Sequence, residues 1–157
     1  MVLETTTEVV CHESASDILA RKGSKVWSIG PQASVFEAVR LMDEVGVGAL
    51  LVLHGGRLIG VISERDYARK VVLKGRSSMD TAVAEIMNTP AISVNPQEGV
   101  VDCLRLMTER RIRHLPVIEN GSICGVLSIG DLVNAVLSAQ AAEMQHLKSY
   151  VAGQYPA

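Results

Sequence analysis

The stretch Gly60-Val61-Ile62-Ser63-Glu64-Arg65-Asp66 decides how this chain is organised, because the chain contains it twice. The second copy, Gly125-Val126-Leu127-Ser128-Ile129-Gly130-Asp131, lies 65 residues further along. Each copy consists of a glycine, two apolar residues, a serine, two variable positions and an aspartate. Each follows a short apolar run and precedes a segment with a helical pattern.

The residues around the motif repeat at the same offset. Without a gap, the aligned pairs include Ser28 with Ser93, Pro31 with Pro96, Arg40-Leu41-Met42 with Arg105-Leu106-Met107, and Leu50 with Leu115. Self-similarity at a fixed offset indicates a repeated folding unit. A single unit of about 55 residues buries only a marginal core, so we predict one globular body made of two pseudo-symmetric halves.

Length and composition are those of an ordinary soluble globular protein. The chain has 157 residues, an apolar fraction of 48% and a net charge of −2, all within the usual range. With no excess of basic residues and only 3% aromatic residues, the sequence offers nucleic acid little to bind. No apolar run approaches a membrane span and the N-terminus lacks a secretory pattern, so we expect a cytoplasmic protein.

The cysteines predict neither a disulfide framework nor a metal site. Cys11, Cys103 and Cys124 are odd in number and lack CxxC spacing. Cys103 aligns with Ala38 in the first half, and we interpret it as a small core residue rather than a reactive thiol.

Within each half the hydrophobic pattern predicts strand, helix, strand, strand and helix, which is an α+β fold. A capping box at Ser34 and Glu37 begins the first long helix. Met42 and its counterpart Met107 lie on apolar helical faces, which we assign to the core. The predicted strands cover residues 25–29, 49–53, 58–62, 91–94, 115–118 and 123–127, and the other predicted helices cover 16–21, 67–73, 83–87 and about 131–151.

These patterns divide the chain into an N-terminal arm, 1–15, a first repeat, 16–73, a polar linker, 74–82, a second repeat, 83–138, and a helical tail, 139–157. Apolar residues continue along the tail at helical spacing beyond what one repeat needs. Two interpretations of this stripe stay open. It folds back on the core of its own chain, or it packs on a second subunit.

On these features the chain resembles a tandem pair of cystathionine-β-synthase (CBS) domains, also called a Bateman module. The resemblance covers roughly residues 16–138. It is carried by the order of elements, by the doubled glycine–apolar–apolar–Ser–x–x–Asp motif, and by Arg113-His114-Leu115-Pro116-Val117. It implies two β-α-β-β-α repeats packed sheet to sheet, with two clefts between them.

The resemblance also implies a regulatory role without catalysis. Such clefts bind adenosine-containing ligands, and AMP is the first expectation, with NAD, ADP, ATP or S-adenosylmethionine as the others. The chain shows no enzyme or transporter domain, so the regulated partner is expected to be a separate, unidentified protein. CBS pairs commonly associate, which implies a homodimer.

The motif residues suit a nucleotide. An ionised carboxylate accepts hydrogen bonds from both ribose hydroxyls, which is the role expected of Asp66 and Asp131. A phosphate would find a helix N-terminus and, in the second half, a guanidinium and an imidazole. The remaining contacts expected are serine hydroxyls from Ser63 and Ser128, apolar surface for adenine from Val61 and Val126, and phosphate contacts from Arg113 and His114.

The two sites are not equivalent. Where the second half has Arg113 and His114, the first has Gly48 and Ala49. The Asp66 site would then take its charge from Arg65, with Arg69 or Lys70 as weaker candidates. In the family each cleft borrows from the opposite repeat, which implies that Val47, Gly48 and the segment 22–27 with Lys22 complete the Asp131 site, and that Ile112 and the segment 89–91 with Ala91 complete the Asp66 site.

Three alternatives compete with this interpretation. A serine followed three residues later by aspartate is also an ordinary helix cap. An interaction module with degenerate clefts would depend on the tail helix instead. A nucleotide-processing enzyme is disfavoured, because we find no nucleophile–base pair and no metal-ligand cluster, and the histidines are scattered at His12, His54, His114 and His146.

Overall fold

The computed structural model describes residues 10–153, so most of the predicted arm and the end of the predicted tail lie outside the described residues. Twelve elements follow one another in the described part. They are α1 (Ala15–Lys22), β1 (Ser28–Ile29), α2 (Val35–Val45), β2 (Ala49–His54), β3 (Arg57–Ser63), α3 (Glu64–Tyr67), a π-helical turn (Ala68–Val72), α4 (Val83–Ile86), α5 (Val100–Arg110), β4 (His114–Glu119), β5 (Ser122–Ser128) and α6 (Ile129–Val151). The α+β class and the long C-terminal helix are confirmed.

The chain folds into two compact units. The central unit is Lys25–Ser93, and the terminal unit is formed by residues up to Ser24 together with residues from Val94 onward. Residues 10–153 include no helix long and apolar enough to cross a membrane.

The same hairpin forms the sheet of each unit. In the central unit β2 pairs antiparallel with β3, and Ala49 lies opposite Ser63. In the terminal unit β4 pairs with β5 in the identical register, and His114 lies opposite Ser128. Each hairpin has an irregularity at its equivalent position, after Val52 and after Val117. The sequence repeat is therefore also a repeat in hydrogen-bond register.

The two hairpin turns explain the small residues at their tips. Gly55 and Gly56 have φ values of 58° and 76°, and Asn120 and Gly121 have 49° and 79°. Two successive residues with positive φ give a turn whose twist matches that of the strands, and glycine and asparagine tolerate this conformation best.

The predicted first strand of each repeat is shorter than expected. β1 keeps two residues and pairs parallel with β2, whereas the predicted strand 91–94 is wrong, because only Val94 forms a bridge, to Val117. The bridge consists of Val94 N–H to Pro116 O (3.0 Å) and Ile118 N–H to Val94 O (2.8 Å). In a parallel ladder the next residue to donate would be Pro96, which has no N–H.

The helix faces assigned to the core are buried. In the central unit Val35, Ala38 and Met42 pack with the buried residues of β2 and β3. In the terminal unit Cys103 and Met107 are at most 1% exposed. Burial raises the pKa of the Cys103 thiol to about 11, so this cysteine is protonated and unreactive at neutral pH, as the core assignment predicts.

Each of the short helices that open the two repeats in sequence belongs to the compact unit formed mainly by the other repeat. Helix α1 belongs to the terminal unit, where it packs against β5 and α6. Helix α4 belongs to the central unit, where Val83 N–H donates to Ala33 O at 2.8 Å. The compact units therefore divide the chain differently from the sequence repeats, whose boundaries at 16–73 and 83–138 stay a prediction.

The glycines of the two motifs make room for the segments that pack across each hairpin from the other repeat. A Cβ on Gly60 would lie 2.8 Å from the backbone oxygen of Asn88 and 2.8 Å from Sδ of Met87. A Cβ on Gly125 would lie 2.7 Å from Cδ2 of Leu19 in α1. Both glycines therefore leave room for a segment that crosses the face of the hairpin.

We predict that Gly60→Ala destabilises the protein by about 1–3 kcal/mol, the usual cost of overpacking. Gly125→Ala should cost less, because its new methyl group meets the end of a leucine side chain, which can rotate, rather than a backbone oxygen. Urea unfolding of the two variants measures the difference. Equal losses, or no loss at Gly60, would contradict this account of the motif.

Candidate functional site

The two Ser-x-x-Asp motifs form the same capping box at the junction of a strand and a helix. Ser63 N–H donates to Asp66 Oδ2 at 2.9 Å, and Asp66 N–H donates to Ser63 Oγ at 3.3 Å. In the second copy Ser128 N–H donates to Asp131 Oδ2 at 2.8 Å, and Asp131 N–H donates to Ser128 Oγ at 3.2 Å. The cap interpretation is therefore confirmed for both motifs. In both copies the cap uses Oδ2 of the aspartate. The two copies differ in the partners of Oδ1.

In the central unit the carboxylate of Asp66 is fully engaged. The Asn88 amide donates to Oδ1 at 3.1 Å and to Oδ2 at 3.0 Å, and Lys70 Nζ lies 3.1 Å from Oδ1. Lys70 also donates to the backbone oxygen of Ile86 at 2.8 Å. Asp66 itself is only 7% exposed. Its charge and its hydrogen-bonding capacity are thus satisfied within the protein.

This network goes beyond what the sequence predicts. Lys70 is only a weaker candidate there, although Asp66 and Lys70 are four residues apart on one helical turn, the spacing at which opposite charges meet. Asn88 carried no signal that sequence alone could have used. The neighbouring predicted segment 89–91 contributes Thr89, whose hydroxyl donates to Ile59 O at 2.7 Å. Ala91 and Arg65 are half-buried, with no contact to Asp66 among the hydrogen bonds and ion pairs of residues 10–153.

Asn88 also holds the backbone of the motif. Its N–H donates to Val61 O at 2.9 Å, and its own carbonyl accepts from Val61 N–H at 3.1 Å. The side chain of Val61 stays half-buried beside these bonds.

In the terminal unit a lysine from α1 takes the equivalent place. Lys22 Nζ donates to Asp131 Oδ2 at 2.6 Å and to the backbone oxygen of Val126 at 2.7 Å. Lys22 thus contacts the same carboxylate and the same strand carbonyl that Asn88 contacts in the other copy. Lys22 lies 109 residues before Asp131 in the sequence, so only the tertiary fold brings the two residues together. The structure therefore places Lys22 at the Asp131 site.

The carboxylate of Asp131 is only half engaged. Among residues 10–153, its hydrogen bonds from Lys22 and from Ser128 both go to Oδ2, and none goes to Oδ1. Its side chain is 22% exposed, against 9% for Asp66. Burial raises the pKa of Asp131, but the hydrogen bonds from Lys22 and Ser128 outweigh it, and the net pKa lies below the ordinary value. At neutral pH Asp131 is therefore ionised, and its Oδ1 accepts no hydrogen bond from the described residues.

Arg113 and His114 lie beside the start of α6. Arg113 O accepts the N–H of Ile129 at 2.8 Å, and His114 pairs with Ser128 across the hairpin. Burial lowers the pKa of His114, and the charges of Lys22 and Arg113 lower it further against the opposing effect of Asp131. The imidazole is therefore neutral at pH 7, and it can donate one N–H without adding charge. Arg113 is exposed.

The first copy has the same backbone without these side chains. Gly48 O accepts the N–H of Glu64 at 3.0 Å, in the place of Arg113 O. Val47 and Gly48 belong to the central unit and Ile112 to the terminal unit. Their contribution to the site of the opposite repeat stays a prediction.

Three comparisons with known proteins agree on one family. The model of the CBS domain matches residues 15–73 and 83–138. The mitochondrial CBS domain-containing protein CBSX3 of Arabidopsis thaliana is 41% identical over 150 residues, covering 89% of this chain and 72% of that protein. A CBS-domain signal-transduction protein of Burkholderia ambifaria has a solved structure that is 44% identical, with a TM-score of 0.78, covering 82% of this chain and 96% of that one.

A more distant structure shares the fold. The CBS domain pair of protein MJ0100, solved with 5′-methylthioadenosine and S-adenosyl-L-methionine, has a TM-score of 0.70 at 20% identity, over 82% of this chain and 98% of that one. Because one relative is mitochondrial by name, the cytoplasmic location expected from the sequence stays a prediction.

We predict that His114 makes stability depend on pH. A histidine with a lowered pKa in the folded state stabilises the protein above its ordinary pKa of 6.5, and this stabilisation is lost as the pH falls below that value. His114→Gln should therefore flatten the decline of the melting temperature between about pH 7 and about pH 5. His54→Gln, at an exposed position, is the control. A His114 proton resonance that titrates at or above 6.5 would contradict the prediction.

Proposed function

This chain belongs to the CBS-domain family as a tandem pair, a regulatory module, and from that premise we propose that it senses an adenosine-containing ligand at the Asp131 site. One observation carries the proposal. Asp131 offers an ionised oxygen that the described residues leave unused, whereas Asp66 has none to offer. The regulated protein is a separate partner in this proposal.

The ribose would bind to Oδ1 of Asp131. Its two adjacent hydroxyls are donors, and an ionised carboxylate is the strongest acceptor that a protein side chain provides. The half-buried side chain of Val126 lies on the strand that leads into this site and supplies apolar surface for adenine. The two ligands of the MJ0100 domain pair, an adenosine thioether and an adenosine sulfonium, support a nucleoside as the common part of the ligand.

The phosphate would bind to the basic side chains at the same site. Lys22 and Arg113 carry fixed charge, and neutral His114 donates a hydrogen bond. Lys22 is 38% exposed, so its ammonium group has room to turn from Asp131 to a phosphate. The N-terminus of the long helix α6 adds positive potential. Three donors and a helix terminus fit a short phosphate group, so we rank AMP first, ahead of ADP, ATP, NAD and S-adenosylmethionine.

The Asp66 site would bind ligand more weakly or select a different one. A ligand there has to displace Asn88 and Lys70 from the carboxylate, and both also hold the backbone of the central unit. The strand beside it has Gly48 and Ala49 where the Asp131 site has a guanidinium and an imidazole. We therefore propose that the Asp131 site fills first.

The first experiment is isothermal titration with AMP, ADP, ATP, NAD and S-adenosylmethionine, using the wild type, Asp131→Asn and Asp66→Asn. Hydrogen bonds to a charged group contribute about 1.5–3 kcal/mol, so Asp131→Asn should weaken the preferred ligand by about tenfold to a hundredfold. Asp66→Asn is the matched control and should leave that affinity within about threefold. No binding of any of the five ligands by nucleotide-free protein would contradict the sensor proposal and favour a module that binds proteins only.

A second test asks what Lys22 recognises. If it turns to the phosphate, Lys22→Met should weaken AMP by about tenfold and leave adenosine unchanged or tighter, since Asp131 is then free of its ion pair. The readout is the ratio of the two dissociation constants, which a general loss of stability would not change. Equal effects on AMP and adenosine would show that Lys22 only supports the site.

A further inference from the structure

The surface of helix α6 carries a second recurring pattern, which the nucleotide proposal does not use. Residues spaced alternately three and four apart form a line along the helix, here called the α6 seam, which consists of Gly130, Val133, Leu137, Gln140, Met144, Leu147 and Val151. Five of these seven residues are apolar. This is the a and d spacing of a heptad repeat, maintained over three heptads.

The α6 seam does not face the core of its own unit. Leu132 and Ala135 provide that contact and are at most 3% exposed. Leu137, Met144 and Leu147 are 60%, 55% and 53% exposed. Within residues 10–153, α6 packs mainly against α1, α5 and β5, and every residue of the seam is exposed. Of the two interpretations of the tail, folding back onto its own core is therefore not what the described residues show.

The distal part of the α6 seam lies beyond the CBS repeat. The second family match ends at residue 138, but the helix continues to Val151. A helical extension with polar residues all round would be stable only through local pairs. This one instead carries Met144, Leu147 and Val151 on a single line, which is the pattern of a helix that packs against another helix.

We propose that the α6 seam pairs with the α6 seam of a second copy of this chain, as a parallel two-stranded coiled coil. The charges beside the seam select this partner and this direction. Glu143 occupies a g position and Lys148 an e position. Five residues apart on one helix, they do not face each other. In a parallel pair, each g residue meets the e residue five positions later on the partner helix, so Glu143 meets Lys148 in both directions.

An antiparallel pair does not bring these charges together, because it sets g against g and e against e. Gln140 supports the parallel arrangement as well. It occupies a d position, where its amide would meet the amide of the same residue in the second copy, and a polar residue at one core position fixes the register of a coiled coil at some cost in stability. Apart from Gly130, the α6 seam lies outside the Ser128–Asp131 motif, and its pairing does not rest on nucleotide binding.

Sedimentation equilibrium of the full chain without nucleotide tests the surface. The wild type should be a dimer that dissociates on dilution. Leu147→Lys removes a buried leucine from each helix and should raise the dissociation constant at least tenfold, since burying each leucine contributes about 1.5–3 kcal/mol. Gln145→Lys, at an exposed position off the seam, is the control and should change it by less than about twofold.

Charge exchange tests the direction. Glu143→Lys and Lys148→Glu should each weaken the dimer, by about fivefold for two pairs turned from attraction to repulsion. The double variant should restore wild-type affinity, and so should a mixture of the two single variants. Circular dichroism checks that the helix is retained in each. A monomer at about 100 μM, or a dimer that Leu147→Lys does not weaken, would overturn the proposed surface, and absence of rescue would overturn the parallel pairing.

Discussion

The reciprocal hydrogen bonds between a serine and the aspartate three residues later determine most of what these two sites can do. They fix the residue at which a helix begins, and they hold one carboxylate oxygen against the backbone of the strand end. A cap of this kind is an ordinary stabilising device. In the function that we propose, the same aspartate also binds a ligand, which requires that its second oxygen is not already hydrogen-bonded within the protein. Capping a helix and binding a ligand, which compete as interpretations of the sequence, therefore do not exclude each other. The surrounding residues determine whether the second carboxylate oxygen is already hydrogen-bonded or is left for a ligand.

The two copies show how that choice is made. In the central unit Lys70 compensates the charge of the aspartate and Asn88 donates hydrogen bonds to it, and both residues belong to the same compact unit and also hold its backbone. In the terminal unit the compensating charge is a single lysine at the end of α1. The side chain of Lys22, at a helix end, can move at the cost of its own rotamer entropy. Asn88 is held more firmly, because its backbone is bridged to Val61 on both sides while its side-chain amide contacts both oxygens of Asp66. The same motif thus gives one closed and one adaptable carboxylate.

The sequence predicted the fold well because its signals are local and doubled. The hairpin turns, the capping boxes of the Ser-x-x-Asp motifs and the apolar helix faces depend on residues within a few positions of each other, and each of these patterns occurs in both repeats. The ion pair between Lys22 and Asp131, by contrast, joins residues that are far apart in the sequence. Lys22 meets Asp131 only because α1 packs in the unit formed mainly by the second repeat, which no local pattern encodes. The resemblance to the family named Lys22, whereas Asn88, whose backbone and side chain both act, carried no signal at all.

Because α1 and α4 each pack in the unit of the other repeat, the parts of the chain cannot all fold in the order in which they are synthesised. Helix α1 is synthesised early, but its partners α6 and β5 come from the far end of the chain. The central unit, a continuous segment from Lys25 to Ser93, contains all the strands and helices of its own core and can close first. Before β5 and α6 have been synthesised, the face of α1 that carries Ala15, Ile18 and Leu19 lacks these two packing partners. Contacts between residues that are distant in sequence form slowly, so we expect α1 to remain unpacked in the nascent chain until β5 and α6 have been synthesised.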